Sequence, residues 1–224
     1  AEAFKAMLSG RPGPALIEMC WDDMAMTGPY QEMPPLDLEP TPALPDDMIA
    51  KAAELLRQAE RPLIMVGSGA RDAQDEVLAL AEKLNAPVTA FRGGRGIMPA
   101  DHPLAMSSYA AWQLWEETDC VIGIGSRMEM IYMRWSGMRS RIVEPEAPPH
   151  LIRIDIDPEE MTRLVPHVPV VADAKEATAA LLQALDQSGA PTSKDLGRLE
   201  RARATAQQAI AAVQPHVTFL EHIR

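Results

Sequence analysis

Five short apolar runs, each stopped by glycine or aspartate, constrain this chain more than any other feature. LIMV (63–66) runs into Gly67-Ser68-Gly69, and APVTAF (86–91) into Arg92-Gly93-Gly94. CVIGIG (120–125) runs into Ser126-Arg127, LIRIDI (151–156) into Asp157-Pro158, and VPVVA (168–172) into Asp173. Runs of this length, apolar on both alternating faces, suit strands covered on both sides. Between them lie segments of helical period: Met48, Ile49, Ala52, Ala53, Leu55 and Leu56; Val77, Leu78, Leu80, Ala81 and Leu84; and Leu181, Leu182 and Leu185. Strands alternating with helices predict an α/β fold, a doubly wound parallel sheet flanked by helices.

The run LIRIDIDPEE (151–160) turns acidic at its end. Ile152, Ile154 and Ile156 alternate with Leu151, Arg153 and Asp155, so one face is apolar and the other mixed. Asp157 suits a helix N-cap, Pro158 the first helical position, and Glu159 and Glu160 the positive end of the helix dipole. Capping accounts for Asp157. Asp155 asks for more, because an acid at the end of such a strand can accept a ribose hydroxyl.

The flanks differ in character. Residues 1–9 read as the end of a helix, Ala15–Cys20 as a short strand, and 27–45 as a proline-rich linker. Asp46 or Asp47 would cap the helix that follows. Trp112, Leu114 and Trp115 read as one helix, SGAPTS (188–193) as a second linker, and 195–213 as a polar, Ala- and Arg-rich helix. The organisation expected is therefore 1–26, 27–45, 46–186 and 187–224. The partial elements at both flanks suggest a piece of something longer.

A net charge of −11 argues against a nucleic-acid partner or an anionic membrane surface. No apolar run reaches the length of a membrane span, and no secretory signal opens the sequence. Cys20 and Cys120 have no metal or disulfide spacing, so a reducing, cytoplasmic setting is expected. The abundant Met residues fit gap-filling between helices and sheet. The sequence contains no phosphate-loop, nucleophile-elbow or His-pair motif, and His102, His150, His167, His216 and His222 are scattered. No catalytic residue is assigned.

The strand-end glycines Gly67, Gly69, Gly93, Gly94, Gly96, Gly123 and Gly125 let backbone approach a phosphate, although such turns commonly just connect strand to helix. GSGARD has Asp72 where a dinucleotide fingerprint wants its third glycine. Arg127 can pair with a phosphate or carboxylate, or stand as an ordinary surface arginine.

RPLIMVGSGAR, APVTAFRGGRGIMPADHPL, DCVIGIGSRME, LIRIDIDPEE and VPVVADA, in this order and spacing, resemble the central, Rossmann-like domain of thiamine-diphosphate-dependent enzymes of the acetolactate synthase type. EAFKAMLSGRPGPALIEMCWDDM resembles the end of that family's pyrimidine-binding domain, and QPHVTFLEHIR the link to its diphosphate-binding domain. The resemblance implies a parent lyase or transferase that acts on 2-oxo acids with thiamine diphosphate and Mg²⁺, both held outside this chain. It implies a homodimer or homotetramer, with the rest of the same polypeptide as partner. In flavin-binding members the residues matching Asp155 and Ile156, Ala172 and Asp173, and Gly69 with Gly125–Arg127 approach FAD. The chain departs from that pattern at Ser107, Ser108 and Tyr109, at Glu129-Met130, and at Ala90, Phe91 and Arg92. FAD, ADP and an empty structural cleft all stay open, as does a freestanding nucleotide-binding module.

Overall fold

Among the described residues six strands form one parallel sheet, in the order β3-β2-β1-β4-β5-β6: β1 Pro62–Val66, β2 Val88–Ala90, β3 Ala105–Met106, β4 Cys120–Ile124, β5 His150–Asp155 and β6 Val168–Val171. The structure is a computed structural model that describes residues 1–32, 35–131, 148–162, 164–188 and 196–213. Across the sheet Val88, Ile64, Ile122, Ile152 and Val168 stand in register and form one apolar row. All five are buried, each contributing about 1.5–3 kcal/mol relative to an exposed side chain. The adjacent row is Thr89, Met65, Gly123, Arg153 and Pro169. A Cβ on Gly123 would lie 2.7 Å from Met128 Sδ, so the missing side chain makes room for a methionine between Met65 and Arg153.

Helices flank the sheet. In α3 (Asp46–Gln58), Ile49, Ala52, Ala53 and Leu56 repeat at helical spacing and are buried. α3 and α4 (Gln74–Leu84) both pack on α6 (Ala174–Ser188). α5 (Ser108–Gln113) packs on α7 (Gly197–Ala211), whose Leu199, Ala202 and Ala206 are buried. The polar helix read at 195–213 therefore has an inner face.

The chain divides into two compact units, Ala1–Ala43 and Leu44–Arg224. The first holds α1 (Glu2–Leu8) and α2 (Trp21–Met24), with Lys5 paired to Glu39 at 3.5 Å. Neither helix has a buried residue.

Local expectations are corrected at five places. Ala15–Cys20 pairs with no strand and is not in a ladder, because a strand needs a neighbour that these described residues do not supply. Pro45, not Asp46 or Asp47, is the N-cap of α3, and both aspartates fall in its first turn. The run 86–91 narrows to three residues, Val88–Ala90. The two-residue strand β3 was not foreseen. The tryptophan helix stops at Gln113 and resumes as a 3-10 turn, Trp115–Glu117. Ser188 of the expected linker SGAPTS ends α6, and the rest of that linker and the QPHVTFLEHIR stretch lie outside the described residues.

Candidate functional site

Between β1 and β4 the winding reverses: β2 and β3 are laid down on one side, β5 and β6 on the other. The loops at the carboxyl ends of the strands diverge at such a point, and ligands bind there in this class of sheet. Here three glycines meet across it. Gly67 N donates to Ile124 O (3.1 Å), Gly69 N to Gly125 O (3.0 Å), and Gly125 N to Ile154 O (2.8 Å). A Cβ on Gly67 would stand 2.2 Å from Gly125 O, and one on Gly125 would stand 2.4 Å from the Gly69 carbonyl carbon. Gly125 also has φ +52°, a left-handed conformation that glycine adopts without a Cβ penalty. The glycines are needed for backbone-to-backbone packing, and their amides are already committed.

The next loop over is built on buried charge. Arg153 lies mid-strand in β5 and is 1% exposed. It donates to Ser126 O (2.8 Å) and to Glu160 O, with a guanidinium nitrogen 3.8 Å from Glu160 Oε2. The buried Glu160 also accepts from Arg127 Nε at 2.9 Å, and Arg127 lies 3.5 Å from Glu129. The hydrogen bond to Glu160 raises the Arg127 pKa, a shift reinforced by the charges of Glu160, Glu129 and Asp157 and opposed by its partial burial. Arg127 is thus a clamp between the β4 and β5 loops. Glu160, read from sequence as a helix-dipole residue, is the centre of the cluster. A charge in the middle of an apolar strand was the signal for it, since a buried arginine must have an acidic partner.

The remaining acids shape turns. Asp155 is buried at the end of β5 and accepts from Asp157 N at 3.1 Å. Asp157 caps as its sequence position suggested, accepting from Glu159 N at 2.9 Å ahead of a 3-10 turn, Pro158–Thr162. Asp173 accepts from Lys175 N (2.9 Å) and Glu176 N (3.1 Å) and so caps α6. Ala172 is buried, its amide donating to Asp155 O at 3.2 Å, and Ile156 is half-buried beside Asp155.

Residues 49–182 match the family described as the thiamine pyrophosphate enzyme, central domain. The chain belongs to the thiamine pyrophosphate enzyme family. It is 30% identical over 230 residues to a probable 2-ketoarginine decarboxylase of Pseudomonas aeruginosa, with 100% of this chain and 40% of that protein covered. With the acetolactate synthase large subunit of Corynebacterium glutamicum it shares 32% identity over 204 residues, covering 86% of this chain and 32% of the relative. The chain therefore spans well under half the length of these curated relatives. The fold is that of a benzoylformate decarboxylase from Polynucleobacter necessarius, with a TM-score of 0.61, 20% identity, and 87% of this chain and 36% of that one covered.

FAD, ADP and an empty cleft were left open for this domain, and the residues suit a nucleotide unevenly. Asp155 has the right position for a ribose hydroxyl. The diphosphate does not fit: the amides of Gly67, Gly69 and Gly125 donate to carbonyls, and Arg127 is held by two glutamates. Among the described residues no group of three or more His, Cys, Asp and Glu is placed to hold a metal, and no helix is long and apolar enough to cross a membrane.

Proposed function

We propose that this chain is the central domain of a thiamine-diphosphate- and Mg²⁺-dependent lyase or transferase acting on 2-oxo acids in the cytoplasm. The family match over residues 49–182 carries the reading, supported by relatives named as a decarboxylase and an acetolactate synthase. The cofactor supplies the carbanion stabilisation that such chemistry needs, and the protein supplies placement and a dry site. Among the described residues no group of three or more His, Cys, Asp and Glu is placed to hold Mg²⁺, and we assign the chemistry to other parts of the polypeptide.

The role of this domain is to hold its neighbours in place, and the first unit supports that. Leu16, Ile17 and Trp21 are 82%, 69% and 83% exposed there, more large apolar surface than a short segment leaves to water without a partner. We assign that surface to the rest of the same polypeptide, within a homodimer or homotetramer. FAD or ADP would sit with its ribose at Asp155 only if its diphosphate bonded to residues other than Gly69, Gly125 and Arg127.

The test is turnover by the full-length protein on a panel of 2-oxo acids. Activity that needs both thiamine diphosphate and Mg²⁺ is expected. A protein that binds both and turns over none of a broad panel would sink the reading.

A further inference from the structure

A cavity of about 270 Å³ lies on the amino side of β2 and β3, at the opposite edge of the sheet from the switch point. The end of α4, the loop 102–104 before β3 and the start of α7 wall it in. Its volume is just under the ~300–1,000 Å³ of sites for drug-sized ligands, which suits a smaller molecule. Pro103, Leu104, Leu196 and Leu199 give it an apolar lining, and Glu82, His102, Glu200 and Arg203 a polar one.

Two of these charges are kept apart. Glu200 and Arg203 stand three residues apart on α7, a spacing at which opposite charges commonly pair. Yet among the described residues neither forms an ion pair. Arg203 turns to the edge strand instead, its Nη2 donating to Pro103 O and, at 3.3 Å, to Ala105 O. Those carbonyls fasten the guanidinium without neutralising it, and they use one nitrogen of a group with five donors. Glu82 is oriented from the other wall. His102 Nδ1 accepts from Leu104 N at 3.1 Å, which puts the ring N–H at Nε2, 3.4 Å from Glu82 Oε1.

We infer that this cavity binds a small amino acid, its carboxylate on Arg203, its ammonium on Glu200 and its carbon chain on Leu104, Leu196 and Leu199. The guanidinium fork matches a carboxylate, and Glu200 takes an ammonium through charge-assisted hydrogen bonds. An anion alone would meet Glu82 and Glu200, and a cation alone would meet Arg203. A molecule that carries both charges finds an opposite one at each end. The site shares no residue with the Arg153–Glu160–Arg127 cluster or the glycine contact, and neither it nor its test involves thiamine or turnover.

The experiment is a titration of the protein followed by amide NMR, with 4-aminobutyrate, 2-aminobutyrate, butyrate and butylamine as separate probes at constant ionic strength. Saturable shifts at the amides of Leu104, Leu199 and Glu200 are expected with at least one aminobutyrate, at a Kd below about 10 mM. Butyrate and butylamine should each bind about tenfold more weakly, the scale of one lost charge-assisted contact. Preference for 2-aminobutyrate would assign the site to α-amino acids, and preference for 4-aminobutyrate to chains with their charges further apart. Glu200→Gln should weaken the preferred aminobutyrate about tenfold. Lys51→Gln, which removes a charge from an exposed pair on α3, should leave it unchanged. Shifts that map elsewhere, aminobutyrates binding no tighter than butyrate or butylamine, or equal weakening by Lys51→Gln would overturn the proposal.

Discussion

The two halves of the carboxyl edge solve the same problem in opposite ways. At the β4/β5 mouth, charge is turned inward: Arg153 and Glu160 are buried and Arg127 is clamped to them. At the β1/β2 mouth Arg71, Arg92 and Arg95 are exposed and, among the described residues, in no ion pair with a carboxylate. A buried pair depends on both members being present, because losing one strands the other in a low dielectric. Exposed charges of this kind add little to stability and can be altered at little cost to the fold. The difference separates a structural joint from an exposed surface.

That contrast can be broken most sharply at Glu160. Glu160→Ala removes the buried carboxylate beside the buried Arg153, and a loss of about 3–5 kcal/mol in urea unfolding is expected. A loss below about 1 kcal/mol, the scale of an exposed pair, would show that the cluster is not a joint. Next in size is Gly125→Ala, which combines the left-handed backbone with a collision against the Gly69 loop. About 3 kcal/mol is expected from conformation and overpacking together. Gly96→Ala serves as its control: φ is +92° but the space around it is open, so only the conformational part, about 1–2 kcal/mol, should appear.

The opposite end of β4 gives a pH-dependent measure. Burial, with a smaller contribution from the charge of Asp119, pushes the Cys120 thiol up to about 12 from 9.0. Its folded pKa is raised, so its contribution is complete below the unfolded value and is lost as pH climbs from about 9 towards about 12, at no more than about 1.4 kcal/mol per pH unit. Cys120→Ala should flatten that part of the profile, and an unchanged slope would place the alkaline loss elsewhere. The smallest effect is expected at Arg92→Gly, where relief of φ +47° slightly outweighs the entropy of a glycine. A gain of about 0.5 kcal/mol is predicted in thermal unfolding.

The sheet could be read from sequence because each strand is a short apolar run ended by a turn residue. β3 escaped, since two residues cannot show a period. Ala15–Cys20 erred the other way: its composition suits a strand, but ladder formation depends on a neighbour that local sequence does not encode. At the site, Asp157 was legible because capping is local. The pairing of Arg153 with Glu160 was less so, although the two lie seven residues apart, because it depends on the turn folding back beneath the strand end. The arginines of RGGRG were in plain view, but that they form no ion pair among the described residues is a tertiary fact.

The contact of Gly67, Gly69 and Gly125 also governs how the molecule breathes. Their amide protons are spent in bonds that link β1, β4 and β5, with no side chain between the loops to loosen independently. Hydrogen exchange at these three positions should therefore proceed through one shared opening, at a common rate set by cooperative unfolding of the central strands rather than by local fraying. The three loops then open together, as one block, or not at all.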